Sequence, residues 1–188
     1  MRLLSRLIVP VGAIAVMAVG TGLVLADQSA SPGATTAATK FNPKQLAGKW
    51  VGQWRNSTFG STGAVRGNVK KKGKRMKVLW DIDGTALGCA DPPENKTVLK
   101  KGRGANRWNG RKFKAVDKSD TFGKVTFNYK RRNNKVTGSG GPGGLPCSAD
   151  KTYTFDGKLT NKKLNLDIDI KSNGAPFAKS TMSVGKQQ

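Results

Sequence analysis

Asp167 and Asp169 stand two residues apart in a run where Leu164, Leu166, Ile168 and Ile170 hold the alternate positions. Two carboxylates on one strand face are the residue types an acid–base pair needs. That face is the polar side of the run, so solvation or lysine pairing is the expected role. Gly138, Gly140 and Gly143 match a phosphate-cradling Gly-x-Gly-x-x-Gly, which requires a strand before it and a helix after it. Pro142 and Pro146 interrupt here and an extended pattern follows, so a loop is expected instead. Asp81-Ile82-Asp83-Gly84 starts like a calcium loop but lacks the remaining ligand positions. The chain contains no His, and no nucleophile stands beside a base. No catalytic residue, metal or cofactor is expected.

Cys89 and Cys147 are the two cysteines. Both sit in Pro/Gly-rich loops, too far apart in sequence for a metal-binding pair and without a His to join them. In an exported chain such a pair implies a disulfide, worth about 4 kcal/mol on the chain-entropy model.

Charge is the strongest compositional signal. The formal net charge is +23, from 34 Lys and Arg against 11 Asp and Glu. Such a field attracts polyanions in a salt-sensitive way. Two dense points stand out: Lys70, Lys71, Lys72, Lys74 and Arg75, and the triplet Lys130-Arg131-Arg132. A protein that stacks single-stranded bases would interleave exposed aromatics with these cations. Aromatics make up only 7% of the chain and fall mostly on the apolar side of the pattern. Sequence-specific nucleic-acid reading is therefore not expected; adhesion to an anionic polymer or envelope surface fits the charge better, and a merely solubilising surface is its alternative.

The elements that position these residues are strands. Trp50, Gly52 and Trp54 share one face of an extended segment, because strand side chains alternate. Val65, Gly67 and Val69 repeat the pattern, as do Met76, Val78, Trp80 and Ile82, and then Val125, Phe127 and Tyr129. Turn residues separate the runs, and no helical period is sustained. The spacing predicts an all-β fold of about 8–10 strands in an antiparallel up-and-down meander, closed into a barrel so that no edge is exposed. Lys70, Lys77, Lys112, Lys114, Lys124 and Lys130 then coat the outside, spreading the basic field over several strands. Trp50, Trp54, Trp80, Phe127 and Tyr129 become candidates to line an internal cavity, and Gly52 and Gly67 are expected to leave room there.

Phe41-Asn42-Pro43-Lys44-Gln45-Leu46-Ala47-Gly48-Lys49-Trp50 resembles the opening of lipocalins and related calycins. In those proteins a short helical turn precedes a Gly-x-Trp on the first barrel strand. The resemblance implies a calycin-like barrel that binds a small ligand. Gly-x-Trp-x-Gly is also similar to the haem-binding nitrobindin-like barrels, which place a His on the iron; with no His, no haem is expected here.

Arg2 and Arg6 precede an uncharged apolar run, 7–25, with small residues before Asp27. Residues 1–26 read as a signal peptide, and an uncleaved membrane anchor through 7–25 is the alternative. Residues 27–40 read as a disordered spacer and 41–185 as the barrel domain. Asn56-Ser57-Thr58 and Asn95-Lys96-Thr97 match glycosylation acceptors. The expected protein is secreted or periplasmic, non-enzymatic and monomeric, and holds a small apolar or amphipathic ligand. The alternatives are a polyanion-binding protein acting through its outer lysines and an enzyme with carboxylates at the barrel mouth.

Overall fold

The computed structural model describes residues 43–188 apart from residue 110. The expected signal peptide and spacer lie outside the described residues. A 3-10 turn, Pro43–Leu46, leads into β1 (Gly48–Asn56), followed by β2 (Thr62–Lys72) and β3 (Arg75–Ile82). Then come β4 (Asn95–Lys101), β5 (Arg107–Trp108), β6 (Lys112–Ser119), β7 (Gly123–Lys130) and β8 (Lys135–Gly140). Finally β9 (Lys151–Leu159), β10 (Lys163–Ser172) and β11 (Ala175–Lys186) complete the fold. Every strand pairs with its sequence neighbours, and β1 pairs with β11 to close the barrel. No helix among the described residues is long and apolar enough to cross a membrane.

The alternation seen in the sequence sets which face turns inward. Trp50, Trp54, Val65, Val69, Leu164, Leu166 and Val184 are all buried, while Lys49, Val51, Gln53 and Arg55, which flank the β1 indoles, are not. Desolvating these inward side chains at roughly 25 cal/mol per Å² drives the sheet to wrap on itself.

Two details differ from expectation. The barrel has eleven strands, because Arg107–Trp108 forms a short β5 of its own. It runs parallel to β4, with Lys100 beside Arg107 and Lys101 beside Trp108. A two-residue strand is too short to show a period of two, so no pattern announces it. Gly102 (φ +111°) and Gly104 (φ +113°) carry the chain around so that it passes beside β4 a second time before reversing into β6. Beyond β5, side chains bridge the seam between β4 and β6. Thr97 Oγ1 donates to Asp117 Oδ2 at 2.8 Å, and Asn106 Oδ1 accepts from the Val116 amide at 2.5 Å.

Because strands reverse direction, the connections alternate between two ends. One end gathers residues 57–61, 83–94, 120–122, 141–150 and 173–174. The other gathers 73–74, the segment around β5, 131–134 and 160–162. The second end has a floor of packed side chains: Leu46, Met76, Leu99, Trp108, Tyr129 and Val136 are all buried. Trp50 Nε1 donates to Leu46 O at 2.9 Å, tying the 3-10 turn across that floor.

Candidate ligand-binding site

Above the floor the barrel is open. A cavity of about 750 Å³ occupies the lumen, within the range of small-molecule sites. Its wall is mostly apolar. Trp50, Trp54, Trp80 and Phe127 line it as expected, joined by Tyr153 and Phe155 of β9 and by Ile168 and Met182.

The lumen stays open because small residues let the rings lie along the wall. A Cβ on Gly67 would come within 2.8 Å of the Trp80 ring, so the indole rests on β2 backbone. Gly138 seats Phe155 in the same way, Gly140 seats Tyr153, and Gly63 seats Trp54. Phe127, Gly138 and Phe155 are cross-strand partners in one row, and the two rings meet over the glycine at 4.4 Å. The expectation that Gly67 leaves a gap is corrected: Trp80 fills it, and the free space lies farther in. Gly52 leaves no gap either, since a Cβ there would overlap the Ser183 carbonyl on β11.

Tyr129 does not line this cavity, contrary to expectation. It belongs to the floor, where its ring stacks on Phe113 at 5.0 Å and its hydroxyl and Asn134 Oδ1 are 3.1 Å apart. It borders a smaller recess of about 310 Å³ at the closed end, beside Arg131. Its position one residue before the end of β7 places it below the ligand-sized space. Burial pushes its pKa up, and the nearby Arg131 opposes that shift.

Loop residues reach the cavity at the first end, which is therefore the mouth. Leu87, Gly88, Phe122 and Cys147 hang over it. The Cys89–Cys147 disulfide joins the 83–94 connection to the 141–150 connection. Those connections arise on well-separated parts of the strand circuit, so the bond forms a crossbar over the opening. Phe59 and Phe177 face each other at the rim, 5.3 Å apart, and both are exposed.

Several polar groups at the mouth are engaged with one another. Lys151, near the start of β9, is only 13% exposed; its Nζ lies 2.9 Å from Asp150 Oδ1 and 4.6 Å from the Phe177 ring centre. Asp150 is held below the usual carboxylate range, first by the Ser172 hydroxyl and then by Lys151. Asp117 is the inward carboxylate, bound by Thr97 and by the Lys118 amide. Asp167 and Asp169 are exposed on the outer face of β10. Asp81 and Asp83 pair with Arg66. No group of three or more metal-ligating side chains occurs among the described residues. Asn56 is buried, and its Oδ1 accepts the Thr58 and Phe59 amides at 2.9 and 3.0 Å. As the last residue of β1 it anchors the turn that follows.

Both basic clusters, the two dense points of the sequence, lie at the closed end. Lys70, Lys72, Lys74, Arg75, Lys130 and Arg132 are exposed there. Lys71 differs: it falls on the inward side with Val65 and Val69, its Nζ 5.8 Å from the Trp108 ring centre and 3.0 Å from Gly73 O.

No family model and no curated protein matches the chain in sequence. The likeness is to solved structures. Rv2717c from Mycobacterium tuberculosis superposes with a TM-score of 0.50 at 10% identity, covering 77% of this chain and 94% of that one. The S-type phycobiliprotein lyase CPES from Guillardia theta gives 0.45 at 10%, covering 78% and 90%. A DUF3598-family protein of unknown function from Nostoc punctiforme gives 0.47 at 9%, covering 80% and 50%. At this identity the likeness concerns the fold, a calycin-like β-barrel.

Proposed function

We propose that this is an exported, non-enzymatic binding protein that holds a small apolar or amphipathic ligand inside its barrel. One observation carries the reading: a 750 Å³ lumen walled by Trp50, Trp54, Trp80, Phe127 and Phe155 and left unfilled by the protein's own side chains. Water in such a lumen has few polar partners, so an apolar ligand that displaces it gains burial free energy at little polar expense. The disulfide fits an oxidising compartment outside the cytoplasm. Lys151 and Asp117 at the mouth offer a polar end to an amphipathic molecule whose apolar part lies deeper.

A titration with the neutral probe N-phenyl-1-naphthylamine tests this. One saturable site is expected, with tryptophan quenching that is insensitive to salt. Ala115 lines the lumen on β6, and Ala115→Trp is expected to abolish the signal by filling it. Absence of saturable binding, or binding that Ala115→Trp leaves intact, overturns the proposal.

A further inference from the structure

The alternation of connections sorts charge along the barrel axis. The connections at the mouth hold Asp83, Asp91, Glu94, Asp120 and Asp150 and not one Lys or Arg. Those at the closed end hold Lys74, Arg103, Arg111, Arg131, Arg132 and Lys162 and not one Asp or Glu. The strand ends beside the closed end add Lys70, Lys72, Lys100, Lys112, Lys130 and Lys158; those beside the mouth carry Arg55, Lys118, Lys124, Lys151, Lys171 and Lys179 among their carboxylates, so the sorting lies in the connections. Among the described residues, the carboxylates that form ion pairs reach the closed end only at Lys135, through Asp156 at 2.7 Å. Mutual repulsion among so many cations destabilises the fold.

We infer that the closed end is a docking surface for a linear polyanion, recognised through its repeated phosphate or carboxylate charges. The surface acts independently of the ligand cavity. Strands of 8 to 11 residues, tilted as barrel strands are, separate the two ends by roughly 20 Å, more than two Debye lengths in physiological salt. A chain bound at the closed end leaves the mouth unobstructed, so the protein can be tethered while its cavity exchanges ligand.

A polymer fits better than a lipid surface for two reasons. Peripheral membrane binders add apolar anchors to their cations. Among the described residues, the exposed large apolar side chains are Val51, Phe59 and Phe177; the last two lie at the mouth and Val51 is midway along β1. Moreover, the cations continue up the outer wall at Lys77, Lys114 and Lys163, where a flexible chain can follow and a flat bilayer cannot. Exposed aromatics are also missing from the closed end among the described residues, so the surface reads charge and not bases.

The test compares two charge-matched variants of the full protein. One reverses a cation in each closed-end connection: Lys74→Glu, Arg103→Glu, Arg132→Glu and Lys162→Glu. The other reverses Arg55, Lys124, Lys171 and Lys179 to Glu, all exposed and near the mouth. Polyphosphate binding is measured against salt, alongside binding to vesicles of equal phosphatidylglycerol and phosphatidylcholine. The closed-end variant is expected to flatten the slope of log K against log salt by about 3, at roughly 0.7 per contact, and the mouth variant by less than about 1. Probe binding in the lumen, expected unchanged in both, reports that the barrel is intact. If the reversals prevent folding, the four closed-end alanines carry the test with the same expectation on the slope. Equal losses from both variants overturn the inference in favour of net charge alone. Vesicle binding without polyphosphate binding overturns it in favour of a lipid surface.

Discussion

The Phe155 ring lies directly on the backbone of Gly138, where a Cβ would overlap both the ring and the Thr126 carbonyl. This contact keeps an aromatic side chain against the wall instead of across the lumen. Replacing Gly138 with Val is expected to destabilise the barrel by about 1–3 kcal/mol, as overpacking does, and to push Phe155 into the cavity. Urea denaturation reads the first effect. Weaker binding of N-phenyl-1-naphthylamine reads the second, and unchanged affinity would show that the ring does not set the free volume.

Cys89 and Cys147 span 58 residues and close the mouth as a crossbar. Loss of this bond in a Cys89→Ala, Cys147→Ala variant is expected to remove about 4 kcal/mol of stability on the chain-entropy model. For a domain of this size that corresponds to a fall in Tm on the order of 10 °C. Stopped-flow measurement of probe dissociation should show faster release, because the two loops over the opening are no longer joined. A lowered Tm with unaltered release would separate the bond's stabilising role from any gating.

Trp50 ties the 3-10 turn to β1 through its bond to Leu46 O. Trp50→Phe keeps an aromatic ring but leaves that buried carbonyl without its donor, a loss of about 1–3 kcal/mol. Hydrogen exchange should accelerate at the Ala47 amide, which closes the same turn on Lys44 O. Uniform acceleration across all strands would show that the turn and the barrel do not unfold separately.

Burial raises the pKa of Tyr153, whose hydroxyl donates to Phe122 O at 2.9 Å. Above the ordinary tyrosine value of 10.0 the unfolded chain loses this proton while the folded one keeps it. The folded state then binds more protons, so stability falls as pH rises past that point and is unaffected by this group below it. Denaturant titrations between pH 8 and 12 should show a steeper alkaline loss in the native protein than in Tyr153→Phe. Parallel curves would place the hydroxyl in contact with water.

Part of the site was legible in the sequence because alternation is a local property. Trp50, Trp54, Trp80 and Phe127 face inward for the same reason that Leu164, Leu166, Ile168 and Ile170 do, and all line the lumen. Tyr129 shares their phase but lies too near the end of β7, and phase carries no information about depth along the axis. Tyr153 and Phe155 alternate along β9 as strand residues do, yet their place in the cavity depends on glycines of a neighbouring strand. The short β5 has no period to detect.

The amino-acid sequence by itself determined the strand faces, the closed all-β architecture and the two cysteines available for pairing, since each depends on residue type and near spacing. Tertiary structure alone decided that the lumen is open, because Gly63, Gly67, Gly138 and Gly140 let rings from adjacent strands lie flat. It also decided that the charge is axial. Reversal of strand direction brings every second connection to the same end, and only that folding path gathers the basic connections at one end and the acidic connections at the other.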